Sequence, residues 1–416
     1  MDKRNFALVC CAVFTFWLFA LAFGSANGYG LRYKAVEQAP VMQTAAKVQT
    51  AAEPSAGAVQ PQLTLNCKAA LLMDQATGTV LYEKNADQQL PIASITKVMT
   101  MLLTFEAMHE GRVSKQDIVP VSEHSYSMGG SQIWLEPGEQ FTLDEMLRAI
   151  CVASANDAAV AVAEFIGGSE PVFVQQMNAR ATQLGMNSTN FCNACGLDQA
   201  GHLSTARDVA LLSREILNSC PEVTSYTTIW TDGLRGGQTQ LVNTNKLLRR
   251  YNGITGLKTG TTGGAGVCIT ASATRDGLSL IAVVLGAPGS TERFDAATTL
   301  LDYGFANYAA VPLPNLAAAP LTLQVIGGEE VTVRLDYAAL PPALLLPKGQ
   351  AGQVTAQVQL PQSAPAPVLA GDELGSVALY RGEQLLGQYP ITAAEDDPQL
   401  EFSGALQLLL QSLAGA

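Results

Sequence analysis

The stretch Leu90-Pro91-Ile92-Ala93-Ser94-Ile95-Thr96-Lys97, running on into Val98-Met99-Thr100-Met101-Leu102-Leu103, decides how the rest of the chain is read. Pro91 and the polar Ser94 and Thr96 stand where a helix begins, and the apolar run behind them has the density of a core helix. Residues three apart on a helix share a face, so this spacing brings the Ser94 hydroxyl and the Lys97 amine together on the first turn. A hydroxyl becomes a useful nucleophile when a neighbour takes its proton. A lysine can do so if burial or a second cation keeps its amine neutral. Standing alone, Ser-x-x-Lys fits a serine N-cap followed by a solvated lysine better, so the rest of the chain has to decide.

Downstream, helical patterns run from Thr142 to Ile150 and from about Asn156 to Ile166, with Cys151-Val152-Ala153-Ser154-Ala155-Asn156 between them. Ser154 and Asn156 in such a link can aim two polar groups into one cleft, although each is also a good helix cap. Ser188-Thr189-Asn190 repeats the form in a polar loop without apolar helices on both sides, and reads as a chance match. Further on, Lys258-Thr259-Gly260 opens a pair of core strands, Ala265 to Thr274 and Leu278 to Gly286, that turn at Arg275-Asp276-Gly277. Glycine there lets a ligand approach the backbone, while Lys258 and Thr259 offer a cation and a hydroxyl. An ordinary strand entry with an exposed lysine also accounts for it. Upstream, Ala69–Asp74 and Val80–Glu83 form a hairpin across Gln75-Ala76-Thr77-Gly78 that leads into the Ser94 helix.

A chain of 416 residues, 48% of them hydrophobic, has room for two or three domains and a sizeable core. Its net charge of −12 leaves no basic stripe to neutralise phosphates, which argues against a nucleic-acid partner. Lys3 and Arg4, followed by an uncharged apolar run from Phe6 to Phe23, read as an export signal over residues 1–26. The small residues Ala20, Ala22, Gly24 and Ala26 favour its removal over its retention as an anchor. Residues 27–63 read as a flexible tether of Ala, Gln, Val and Pro without period. Outside the signal stand Cys67, Cys151, Cys192, Cys195, Cys220 and Cys268, too many for the sequence to choose a pairing. The lone Cys192-x-x-Cys195, with no second pair, is a poor zinc or thioredoxin-like motif; no metal or cofactor is expected.

Ser-x-x-Lys, Ser-x-Asn and Lys-Thr-Gly, in that order and on helix start, inter-helix link and strand, are far more specific together than singly. With Asp74 to Gly78, Tyr82 to Asp87, Gly196-Leu197-Asp198, His202 to Asp208, Asn243 to Leu247 and Tyr303-Gly304-Phe305, they resemble the D-alanyl-D-alanine carboxypeptidases of peptidase family S11, the low-molecular-mass penicillin-binding proteins. The resemblance is strong from about Asn66 to Asn307. It implies an α+β transpeptidase fold, an antiparallel sheet flanked by helices, over residues 64–309, followed by a small all-β domain. It also implies peptidoglycan stem peptides as substrates and β-lactams as inhibitors. Ser94 would be the acylated nucleophile and Lys97 its general base. Ser154 would relay a proton to the leaving D-alanine, and Asn156 would hold the substrate amide. Lys258 would keep the site cationic, so that Lys97 stays neutral. The N–H groups of Ser94 and Thr261 would form the oxyanion hole, and Thr259, beside Gly260, would receive the terminal carboxylate with Arg293. A surface ion pair at a helix start explains Arg293 as readily.

This chain departs from the family at Asn193-Ala194-Cys195-Gly196-Leu197, where many members have Asn-Pro-His-Gly-Leu, and at Thr261, a histidine in some relatives. Neither position supplies a side chain the chemistry requires. Two rivals stand beside the carboxypeptidase reading: a catalytically silent scaffold that binds peptidoglycan, and a β-lactamase. The second would need a deacylating Glu-x-x-Leu-Asn, and Glu215-Ile216-Leu217-Asn218 is one residue short of it.

Ala310-Val311-Pro312-Leu313-Pro314 reads as a linker, and the alternating strands of residues 315–394 as a β-sandwich. Glu395-Asp396-Asp397-Pro398 then breaks the chain and leaves an amphipathic tail, 399–416, free to swing away with Phe402, Leu406, Leu409 and Leu413 on one stripe and Leu410 beside it. The tail lacks the basic residues that grip anionic lipid, so association with the outer face of the cytoplasmic membrane would rest on apolar burial alone.

Overall fold

The computed structural model describes residues 62–350, 353–404 and 406. The expected export signal, nearly all of the tether, and Leu409, Leu410 and Leu413 of the tail lie outside the described residues. Among the described residues no helix is long and apolar enough to cross a membrane.

Five antiparallel strands form the central sheet: β1 Ala69–Asp74, β2 Val80–Lys84, β3 Ile254–Thr262, β4 Gly266–Arg275 and β5 Leu278–Ala287. Their order is β2-β1-β5-β4-β3. Side chains alternate across a strand, and both faces of this sheet are covered, which is why β1 carries no polar residue before Asp74. Leu71 and Met73 enter the core beneath the helical lobe, whereas Ala70 and Leu72 enter the core on the other face. Helix α1, Lys97–His109, lies in the first core and is buried from Lys97 through Phe105. After it come α2, Asn156–Gly167, α3, Ala206–Ser219, and α4, Ser290–Asn307, which covers the second face with Phe294, Ala297, Leu300 and Leu301.

The motif-bearing segments differ in detail from their sequence reading. Ala93–Thr96 is a 3-10 turn, and the α-helix starts only at Lys97. The link before α2 is a π turn, Ala149–Ala153, ending on Ser154 in the left-handed conformation with φ 61° and ψ 32°. Lys258-Thr259-Gly260 does not open the strand pair; it lies inside β3, at the edge of the sheet. All six described cysteines are free thiols.

In the C-terminal part, the strands Thr322–Ile326, Thr332–Asp336, Thr355–Gln359, Ser363–Pro365, Glu373–Arg381 and Gln384–Ala393 form a six-stranded sheet. The expected linker is only partly a linker: Tyr308–Pro312 pairs antiparallel with Ala343–Pro347, and Leu344 and Leu346 of this ribbon share a core with Val333, Val377 and Ile391 of the sheet. The expected break at Asp397 is also not a break. Asp397 is buried and exchanges backbone hydrogen bonds with Val368 at 2.8 and 2.9 Å, and Leu400 N–H donates to Gly327 O at 2.8 Å. Polar residues there serve as ladder partners, so the chain leaves the domain only after Leu400, with Phe402 and Leu406 exposed.

Candidate active site

The 3-10 turn presents Ser94 half-buried, with Lys97 of the next turn wholly buried beneath it. Lys97 Nζ lies 2.9 Å from Ser94 Oγ and donates to Asn156 Oδ1 and to the Cys195 carbonyl, each at 2.6 Å. Burial holds Lys97 down to about 8, with Asp157 among the groups that favour its charge. Two close carbonyl acceptors let a buried amine exist at all, because a buried polar group without partners is costly.

Lys258 Nζ, also buried, donates to Ser154 Oγ at 2.7 Å and to the Thr259 carbonyl at 3.0 Å. Ser154 and Asn156, the two ends of one short link, thus each hold one lysine. Burial pushes Lys258 well below the ordinary lysine range, and the Lys97 charge pushes it further.

Two glycines set the approach of the cleft walls. A Cβ on Gly260 would stand 2.9 Å from Ser94 N, so β3 packs against the Ser94 turn itself; glycine is needed for this contact with the chain's own backbone. Gly196, at φ 86°, abuts the Ala93 carbonyl so closely that any side chain would collide with it. Beside them Thr259 Oγ1 meets Thr244 Oγ1 at 2.6 Å, and the side-chain amide of Asn245 donates to Gly256 O at 3.2 Å, joining β3 to the loop after the helical lobe. Thr261 is exposed at the cleft edge, its hydroxyl on the Gly260 carbonyl at 2.8 Å.

Arg293 is not in a surface ion pair. From the start of α4 it is buried, with Nη1 donating to the carbonyls of Gly260 and Cys268 at 3.3 and 3.2 Å and Nη2 to Ser290 Oγ at 3.3 Å. Its Nε has no partner, and burial holds the guanidinium down to about 10. The Arg293 charge also reaches Lys258. Asn156 is fully engaged: besides Lys97, it donates through Nδ2 to Gly129 O at 2.7 Å.

Several functional groups escaped the sequence reading. The Cys195 contribution is a carbonyl, so no residue type signals it. Asp157, next to Asn156, accepts the N–H groups of Ile133 and Leu135, fixing the loop that carries Gly129; its place beside Ser-x-Asn was the available signal. The rival β-lactamase glutamate, Glu215, lies inside α3 in an ion pair with Arg180 at 2.5 Å.

Comparison with known proteins identifies the family. The D-alanyl-D-alanine carboxypeptidase family, peptidase S11, matches residues 54–289, and the C-terminal domain of penicillin-binding protein 5 matches residues 318–399. The chain is 41% identical over 339 residues to the D-alanyl-D-alanine carboxypeptidase DacF of Bacillus subtilis, covering 80% of this chain and 87% of that one. Among solved structures, penicillin-binding protein 5 of Haemophilus influenzae superposes with a TM-score of 0.69 at 28% identity, over 82% of this chain and 99% of that one. Penicillin-binding protein D2 of Listeria monocytogenes, in its cefotaxime-bound form, superposes with a TM-score of 0.55 at 34% identity, over 59% of this chain and 100% of that one. The chain therefore belongs to the peptidase S11 family and is a serine-type D-Ala-D-Ala carboxypeptidase, a penicillin-binding protein.

Proposed function

We propose that Ser94 is the acylated nucleophile and Lys97 its general base in the removal of the terminal D-alanine from peptidoglycan stem peptides. The 2.9 Å contact between Ser94 Oγ and a wholly buried lysine carries this reading. The substrate's terminal carboxylate binds beside Thr259 and Gly260, drawn by Arg293, whose guanidinium is buried against carbonyls. An anion there favours charge on Lys258, and that charge drives Lys97 to the neutral amine the reaction needs.

Lys97 then takes the Ser94 proton as Oγ bonds to the penultimate D-alanine carbonyl carbon. The Ser94 and Thr261 N–H groups receive the oxyanion. The C–N bond breaks, the leaving nitrogen takes a proton from Ser154, and Lys258 replaces it. In the second half, water attacks the ester and passes its proton through Ser154 to Lys258, while Ser94 Oγ leaves with the proton that Lys97 holds. Before and after each half the buried pair carries one charge, moved from one lysine to the other, and it carries a second only while the oxyanion persists. Asn156 holds Lys97 through Oδ1 and turns Nδ2 from Gly129 to the substrate amide. A β-lactam acylates Ser94 in the same way and blocks it.

Substrate chemistry of this kind lies outside the cytoplasm, and the apolar run after Lys3 and Arg4 supports export through a signal over residues 1–26. We read 27–63 as a tether, 64–309 as the catalytic domain, 315–394 as the β-domain and 399–416 as a tail that associates with the membrane surface. Exposed Phe402 and Leu406 support the last of these. Intact-mass measurement with penicillin tests the chemistry: wild type gains one acyl adduct that maps to Ser94, and Ser94→Ala gains none. Folded wild type that gains none would overturn the mechanism in favour of the silent scaffold.

A further inference from the structure

We infer that His202 is a positioning residue for this reaction: through Thr96 it fixes the carbonyl of Ala93 and so the turn that presents Ser94. The inference rests on Ser94 as the acylated residue.

His202 is buried beside α1, and three hydrogen bonds define its part. The Cys192 backbone N–H donates to His202 Nδ1 at 3.0 Å. A backbone N–H can only donate, so Nδ1 is the acceptor and the neutral ring carries its proton on Nε2. Nε2 lies 2.7 Å from Thr96 Oγ1 and therefore donates to it. The Thr96 hydroxyl, also buried, is left to donate onward to Ala93 O at 2.8 Å. Every link in this chain points one way, from Cys192 to Ala93. Burial keeps the ring neutral by holding the imidazole down to about 4, against the pull of Asp198, and the Phe191 ring packs edge-on against it with centroids 5.9 Å apart.

The far end of the chain is where the fold is strained. Ala93 has φ 49°, a left-handed conformation that is costly for a residue with a Cβ and persists only when its surroundings hold it. Gly196 and Gly260 close on the same turn from two sides. The carbonyl of Ala93 thus has its orientation set by Thr96, and the next residue is Ser94. Without His202, Thr96 Oγ1 loses the partner that sets its rotamer and is free to turn to another backbone carbonyl of its own helix. The consequence is a Ser94 displaced from attack geometry, with a fold otherwise intact. A core histidine that merely satisfies its own nitrogens would have no such effect on rate.

The two roles separate by substitution. The amide nitrogen of glutamine reaches the position of His Nε2, so His202→Gln keeps the donor to Thr96. The asparagine amide reaches only the position of Nδ1, so His202→Asn keeps the Cys192 contact and loses Thr96. Penicillin acylation rates on the full chain, with folding checked by circular dichroism, are expected near wild type for His202→Gln and lower by about ten- to a hundredfold for His202→Asn. Thr96→Val, which leaves His202 in place, should lose as much, and the double variant His202→Asn/Thr96→Val no more than either alone. Thr96→Val also serves if the asparagine variant does not fold. Folded variants that acylate Ser94 at the wild-type rate, or losses that add in the double variant, would overturn the inference alone. A wild-type adduct on a residue other than Ser94 would overturn it together with the proposed mechanism.

Discussion

Strand β1 is buried at every position, whereas Thr322–Ile326 and Thr332–Asp336 of the C-terminal sheet alternate exposed and buried residues along their length. The central sheet is covered on both faces, so a polar side chain near it has no water and needs protein partners. Lys97 and Lys258 persist there because carbonyls and hydroxyls receive them. In the C-terminal sheet one face meets water, and Arg334 pairs there with Glu395 at 2.8 Å while contributing little to stability. The contrast separates charge that the fold must support for chemistry from charge that only solvates a surface.

Replacing Lys97 tests that contrast most severely. Lys97→Met should lower acylation by about 10²- to 10⁴-fold, measured with penicillin on folded protein. The same variant should change the pH dependence of stability. Above about 8 the folded chain has released the Lys97 proton, while the unfolded chain keeps it up to the ordinary lysine value of 10.5. The unfolded state therefore binds more protons in that window, and wild-type stability rises with pH relative to Lys97→Met, by at most about 3 kcal/mol. Denaturant melts of both proteins across the window measure the difference. A flat difference would mean that Lys97 is not held neutral by burial.

The C-terminal core should respond in the opposite sense. Ile391 is wholly buried between strands that carry no group of the cleft. Ile391→Ala should cost about 2–5 kcal/mol in unfolding of that region and leave penicillin acylation unchanged. A matching fall in acylation would show that the two regions are energetically one. The smallest effect is expected at Phe402, which is 85% exposed. Phe402→Ser should shift stability by less than about 0.5 kcal/mol, yet reduce flotation with lipid vesicles if the tail associates with a membrane surface. Unchanged flotation would remove Phe402 from that role.

The two regions also differ in how far they could be read. In the C-terminal sheet, alternation marked residues 315–394 as strands, and 322–326, 332–336 and 355–359 are strands there, because one wet face writes the period into the sequence. It could not reveal that the stretch after Tyr308 pairs with Ala343–Pro347, since pairing partners far apart leave no local mark. Near the cleft, residue types and spacing marked Ser94, Lys97, Ser154, Asn156 and Lys258, each with a side chain suited to proton transfer or anion binding. What spacing did not show is that Gly260, read as room for a ligand, also gives room to the Ser94 turn.

The sequence alone determined the order of the motifs, the facing of Ser94 and Lys97, and the hairpin and strand pair of the central sheet, because helix and strand periods are local properties. Tertiary structure decided which side-chain and backbone carbonyls receive Lys97, and how His202 comes to hold the Ala93 turn.

 The separation in sequence between His202 and Ala93 is bridged by two hydrogen bonds through Thr96. These outcomes depend on burial and on backbone groups that every residue carries. Desolvation and hydrogen-bond direction exist only once distant segments are packed together, so residue type alone does not encode them.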